Sequence, residues 1–202
     1  MTSHTNRNKD LQYFINTLEE GFRSKIGNYP DAIPVFDRIF SALKNANGIP
    51  AQHQRTELPI SNFFEIAVEE ARKGPKPISK LTNALIKIEP KLKWYRRPEA
   101  KNFSESFFDG HANAVIVGDG GFEVRHDVRI GMSLVAPNID YPRHRHPPEE
   151  LYIVLAPGSW MQNDKNMTLK TPGDLIHNSP NCWHAMQSIQ TPLLAIWCLW
   201  LN

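Results

Sequence analysis

The chain is poor in several things, and each shortage removes a class of function. It has two cysteines in 202 residues, which cannot build a disulfide framework, and the Cys182 to Cys198 spacing matches no zinc pair. No apolar run approaches the roughly 18 to 20 residues that span a bilayer, and the polar opening, Met1 to Asp10, lacks the apolar core of a signal peptide, so a cytoplasmic location is the default expectation. The formal net charge is only +2, which demands neither nucleic acid nor a membrane as partner. The basic residues from Arg72 to Arg97 alternate with Glu69, Glu70, Glu89 and Glu99, as on a solvated helix face. There is no internal repeat and no low-complexity tract. At 41% apolar residues the chain can bury a substantial core.

What is present falls into two textures. From Leu11 to about Lys91 apolar residues recur at helical spacing. Leu11, Phe14, Ile15, Leu18 and Phe22 form one stripe, and Ile33, Phe36, Phe40 and Leu43 a second. Phe63, Phe64, Ala67, Val68 and Ala71 form a third, and Ile78, Leu81, Leu85 and Ile88 a fourth. Breaks are expected at Gly27 to Pro30, Gly48 to Pro50 and Gly74 to Pro77. After Trp94-Tyr95-Arg96-Arg97-Pro98 the pattern changes to short β-like runs between turn residues. Strands are expected over 113–117, 122–125, 128–136, 150–155, 168–170, 174–177 and 193–201. The last run is apolar on both faces, which predicts a central strand. The fold class expected is α+β, with a helical extension over residues 1–98 packed on an all-β sandwich or barrel over residues 99–202.

The second half carries the run Tyr141-Pro142-Arg143-His144-Arg145-His146-Pro147-Pro148-Glu149-Glu150-Leu151-Tyr152. Histidines two apart project from one side of an extended strand. A carboxylate four residues on can join them, and a histidine from a distant strand, His184, can close the set. Three imidazoles and one carboxylate suit a first-row divalent cation with positions left open for substrate. The ligand mixture accepts zinc, iron, manganese, cobalt or nickel, so it does not select among them. Tyr152, two residues past Glu150, points the same way on a regular strand, as a ligand, a base or an aromatic wall. Cys182, two residues before His184, either lines the site or fills space.

His144-x-His146-x-x-x-Glu150, a Pro-Gly turn, Pro172-Gly173-Asp174 and Pro180-x-x-x-His184 resemble the two motifs of the cupin superfamily, which implies a double-stranded β-helix barrel for the second half. Three turn positions depart from that pattern. Asn138 and Ser188 stand where a glycine and an asparagine are usual, and the glycine after the glutamate falls one place late, at Gly158. With Tyr141, Tyr152 and a helical half added, the chain more narrowly resembles the cupin-type dimethylsulfoniopropionate lyases of the Q-type and their L-type relatives. That resemblance implies cleavage of dimethylsulfoniopropionate (DMSP) to dimethyl sulfide and acrylate. It implies metal ligation by His146, Glu150 and His184, with His144 as a possible further ligand, Tyr152 as ligand or base, and Tyr141 in the pocket.

The substrate's sulfonium offers no hydrogen-bond donor, so aromatic faces suit it; Tyr141, Trp183, Trp197 and Trp200 are the nearest in sequence. The only partner implied is a small-molecule substrate, with a homodimer as a possible assembly. The same three-histidine, one-glutamate set also serves cupin dioxygenases and isomerases acting on other small carboxylates, and a non-catalytic ligand-binding cupin is a third option.

Overall fold

A computed structural model describes residues 7–51 and 55–202. Of the polar opening stretch, residues 1–6 lie outside the described residues. The first half folds as α1 (Lys9–Arg23), α2 (Ile33–Lys44), α3 (Phe64–Arg72) and α4 (Lys76–Ile88); 3-10 turns fill the first expected break, a short strand occupies the second, and the third separates α3 from α4. Asn8 caps α1, its side chain accepting from the amides of Asp10 (2.9 Å) and Leu11 (3.2 Å). The four stripes are buried, except that Ile33, at the first position of α2, is 38% exposed and Phe63, just before α3, is half-buried. No helix of the described residues is long and apolar enough to cross a membrane.

The strands are β1 (Ile49–Pro50), β2 (Trp94–Tyr95), β3 (His111–Val117), β4 (Glu123–Val124), β5 (Val128–Val135) and β6 (Asp140–His144). They continue as β7 (Glu149–Ala156), β8 (Gly158–Gln162), β9 (Thr168–Lys170), β10 (Leu175–Asn178), β11 (His184–Gln187) and β12 (Leu193–Trp200). One sheet runs β1-β4-β3-β5-β12-β7-β10 with β2 beside β3, and a second runs β6-β11-β8-β9. The terminal strand β12 is central, between β5 and β7, as its two apolar faces required. Of the smaller sheet only β9 was expected. Of the strands missed, β8 begins with glycine, β6 carries proline and charge, and β11 is only four residues long; Pro142 is tolerated because β6 is an edge strand, where a missing amide costs no ladder bond.

Alternation divides the large sheet between two cores. Leu194, Ile196 and Cys198 of β12 join Leu151, Ile153 and Leu155 of β7 and Ile130, Met132 and Leu134 of β5 in a core shared with the helices. Leu193, Ala195 and Trp197 join Tyr152, Val154, Val115 and Val135 inside the barrel. The helical half therefore covers the outer face of the barrel. At Gly21 of α1 an added Cβ would lie 3.0 Å from Ile153 Cδ1, so the helix rests directly on β7.

The departures at the turn positions have structural answers. Asn138 takes the left-handed conformation (φ 59°) that the usual glycine would adopt. Ser188 secures the same turn, accepting from the Ile139 amide at 3.0 Å and donating to the Ala136 carbonyl at 2.5 Å. Gly158 allows β8 to pass Leu193, which an added Cβ would meet at 2.3 Å.

A short helix absent from the sequence reading, α5 (Glu105–Gly110), leads into β3. At the junction His111 is fully buried, with its ring stacked on Phe107 at 3.9 Å. Its Nδ1 donates to the Phe107 carbonyl at 2.6 Å and its Nε2 accepts from the Arg97 amide at 3.3 Å. Only a neutral imidazole does both. Burial, assisted by Arg97 and Arg96 against the Phe107 carbonyl, pushes its pKa down to about 4. The unfolded chain thus takes up this proton first as pH falls. The His111 contribution is complete above pH 6.5 and is lost toward pH 4, costing about 3 kcal/mol. Urea denaturation at pH 7.5 and 4.5 should show that loss, and His111→Gln should reduce it.

Candidate metal and active site

The interior of the barrel is a grid of cross-strand partners. Glu150 lies opposite Leu199, which lies opposite Arg129; Tyr152 lies opposite Trp197, which lies opposite Gly131; Val154, Ala195, Ser133 and Asn113 form the next row. Glu150 and Tyr152 thus share a face of β7, both nearly fully buried at 3% exposure. His184 begins β11 on the facing sheet, directly opposite His144 at the end of β6. β6 stops there, so His146 reaches the site from the following loop, through Pro147 and Pro148, and not from a regular strand.

The geometry brings together three of the expected ligands. Nitrogen and oxygen atoms of His146, Glu150 and His184 lie within 4.8 Å of one another. Glu150 Oε2 is 3.3 Å from His146 Nε2 and 3.4 Å from His184 Nε2. Bonds of about 2.1 Å to a common cation place ligand atoms about 3.0 to 3.4 Å apart. His144 is outside this trio but borders the same cavity, its ring 4.1 Å from that of His184.

The tautomers follow from the backbone. Nδ1 of His146 faces the Pro148 carbonyl (3.0 Å), Nδ1 of His184 the Cys182 carbonyl (2.9 Å), and Nδ1 of His144 the Pro142 carbonyl (2.8 Å). A carbonyl only accepts, so each Nδ1 carries the proton and each Nε2 is left as a lone pair when the ring is neutral. His184 Nε2 is buried with no hydrogen-bond partner. A lone pair facing a carboxylate is unfavourable unless a cation or proton lies between them. The residues present therefore fit a divalent metal. Glu150 is further oriented by Asn178, whose Nδ2 donates to Oε2 at 2.9 Å, while Gln162 Nε2 donates to Asn178 Oδ1 at 2.7 Å. Neither amide was singled out from the sequence, where nothing distinguishes a ligand-orienting amide from a surface one.

Electrostatics agree with this arrangement. Burial opposes ionisation of Glu150, but His146 and His184 outweigh it and hold its pKa below the usual carboxylate value. Burial likewise opposes charge on His146, yet Glu150 raises its pKa above 6.5. His144 is pushed down to about 3 by burial and then by His184. Burial, and then the Glu150 charge, push the Tyr152 phenol well above 10.

Beside His146 and Glu150 is a cavity of about 530 Å³. Tyr141, Tyr152 and Trp197 line it, whereas Trp183 and Trp200 do not. Trp200 is three residues from Trp197 on a regular strand and so faces the helices, under Arg38 at 5.8 Å. Trp183 stacks between Arg143 (4.9 Å) and Arg145 (4.6 Å) on the surface side of His184. Cys182 is buried but does not line the cavity; its Sγ lies 3.7 Å from Asn163 Oδ1. Two wall features went unread. Gly131 interrupts β5 because the Trp197 indole lies on it, and an added Cβ would meet Cζ2 at 2.2 Å; an isolated strand glycine is the usual sign of such close approach. Arg97 and Arg129 also face the cavity.

A family model described as dimethylsulfoniopropionate lyase matches residues 33–195. This chain belongs to the dimethylsulfoniopropionate lyase family. It is accordingly a carbon–sulfur lyase acting on a small molecule. No curated protein matches the sequence. Among solved structures, one from the crystal structures of the DMSP lyases RdDddP and RnDddQII superposes with a TM-score of 0.71 at 18% identity, covering 95% of this chain and 92% of that one. The DMSP lyase DddQ from Ruegeria pomeroyi DSS-3 gives 0.66 at 18% identity, covering 94% and 91%. At that identity the likeness establishes a shared α+β fold, barrel and helical half together.

Loss of a first ligand should exceed loss of its support. His184→Ala should abolish stoichiometric binding of a divalent metal, measured by elemental analysis after loading and gel filtration. Asn178→Ala should keep the stoichiometry but weaken affinity about 10- to 100-fold.

Proposed function

We propose that this lyase cleaves DMSP to dimethyl sulfide and acrylate by β-elimination, with His146, Glu150 and His184 holding one divalent cation and Tyr152 as the base. The observation that carries the reading is the buried, partnerless Nε2 of His184 facing Glu150, with Tyr152 at the next position on the same face of β7. When bound, the cation withdraws electron density from the substrate carboxylate and offsets the burial and Glu150 charge that keep the phenol protonated.

The remaining steps belong to the chain's own residues. Tyr152 as phenolate accepts the proton from the carbon beside the carboxylate. The electron pair of that C–H bond becomes the new C=C bond, and the C–S pair leaves with sulfur as neutral dimethyl sulfide. Tyr152 ends protonated and acrylate remains. The sulfonium is a soft cation without donors, and the aromatic faces of Tyr141 and Trp197 are the ones available to it, each contributing on the order of 0.5 to 2 kcal/mol. Burial of Tyr141 and Tyr152, 4% and 3% exposed, keeps bulk water from competing for the proton. Electrons and protons balance without oxygen or a redox cofactor.

Purified protein loaded with zinc, manganese, iron, cobalt or nickel should release dimethyl sulfide into the headspace and an equal amount of acrylate, and a chelator should stop it. Absence of both products with every metal would end the assignment. Tyr152→Phe should retain metal and lose at least about a hundredfold in kcat, the scale of one general base; turnover near wild type would reduce Tyr152 to a wall residue.

A further inference from the structure

The outer face of β7 carries contacts that the elimination chemistry leaves unused. Glu149 and Glu150 are adjacent at the start of this strand, and alternation sends one carboxylate out of the barrel and the other in. Glu150 faces His146 and His184. Glu149, its side chain 16% exposed, accepts from two sides: from Arg38 of α2 at 2.6 Å and from His177 Nε2 of β10 at 2.8 Å. Its cross-strand partner on β12 is Trp200, and the Arg38 guanidinium lies over that ring at 5.8 Å. One carboxylate thus links β10, β7, β12 and α2 at the end of the sheet.

That is where β7 most needs an external tie. Glu149 is the first residue of the strand, directly after Pro147 and Pro148, which offer no amide to a ladder. Burial does not fix the register, because Leu151, Ile153 and Leu155 on one face and Tyr152 and Val154 on the other are all buried. A shift of one residue would exchange the two faces. Residue type does not fix it either, since both neighbours are glutamate. The last two residues of β10 resolve the choice: Asn178 holds Glu150 inside the barrel and His177 holds Glu149 outside it. Gln162 Nε2 steadies both, donating to the His177 carbonyl at 2.5 Å and to Asn178 Oδ1 at 2.7 Å.

Resting on the metal site proposed above, we infer that Glu149 is a positioning residue for metal binding. Held by Arg38 and His177, it fixes the rotation of the strand start that presents Glu150 to His146 Nε2 and His184 Nε2. Through Arg38, helix α2 thereby sets the affinity of a site that it does not touch.

Cobalt(II) titration of the chelator-treated full chain, followed by visible absorption, reads both affinity and coordination geometry. Wild type should bind one cobalt ion. Glu149→Gln should keep that stoichiometry, weaken affinity about tenfold and alter the absorption bands, and Arg38→Gln should weaken affinity about threefold. Lys25→Gln is the control. It breaks another ion pair between the helical half and the barrel, Lys25 to Asp174 at 2.7 Å, at the opposite end of β10; thermal stability should fall while cobalt affinity and absorption stay as in wild type. Unchanged affinity and absorption in Glu149→Gln would overturn the inference. So would an equal loss of affinity in Lys25→Gln, which would make the effect one of general stability. Arg38 is 46% exposed on its helix, so Arg38→Gln should fold even if Glu149→Gln does not, and wild-type affinity in that variant would also overturn the inference. A wild type that binds no cobalt would overturn it together with the metal site. Cobalt binding that depends on Glu149, in a protein that releases no dimethyl sulfide, would keep this inference and reject the lyase chemistry instead.

Discussion

The structure depends on one unresolved electrostatic contact: a buried carboxylate, Glu150, held against the nitrogen lone pairs of two imidazoles. Backbone carbonyls fix the protons of His146 and His184 on the far nitrogens, so the near ones face Glu150 Oε2 across 3.3 and 3.4 Å with nothing to share in the neutral state. Strands on two sheets and an amide relay through Asn178 and Gln162 hold the three groups together, and a proton on His146 already makes part of the contact favourable. The donor set is one that fits a divalent cation, and its burial would leave few waters to compete with such a ligand.

The rest of the fold can be seen as support for that contact. Each long strand of the large sheet gives alternate residues to the helices and the others to the barrel interior, so helices α1 to α4 stabilise the barrel from outside, and of the first half only Tyr95, Arg97 and Pro98, beyond those helices, reach the cavity wall. The distribution explains why β12 reads as apolar throughout while only Trp197 and Leu199 of its residues reach the cavity. It also explains Gly131: a large indole can lie flat along the inner face only where the neighbouring strand has no side chain.

Within the cavity Glu150 faces the imidazole nitrogens, and two guanidiniums add positive charge to the wall: Arg97 beside Tyr141 and His144, and Arg129 beside Trp197.

How much of this was legible before folding differs by residue, for physical reasons. The helical stripes, the central terminal strand and the trio His146, Glu150 and His184 were readable, because periodicity reports which face is buried and metal-binding residue types are few. The smaller sheet was mostly missed, since an edge strand such as β6 tolerates Pro142 and charge that elsewhere argue against a strand. The tryptophans divide by parity: Trp197 and Trp200 are both near the site in sequence, but an odd spacing sends them to opposite faces, and Trp183 is held outside by two arginines.

By itself, then, the sequence determined the chemical inventory and the two textures that build helices against a barrel, because these depend on local periodicity and on which side chains can bind a metal. Tertiary structure alone decided that His146 comes from a loop, that His144 is left out of the trio, that Asn178 steadies Glu150, and that Arg129 is left without a partner. Those depend on which strands lie side by side, and cross-strand neighbours far apart in the chain leave no local pattern to read.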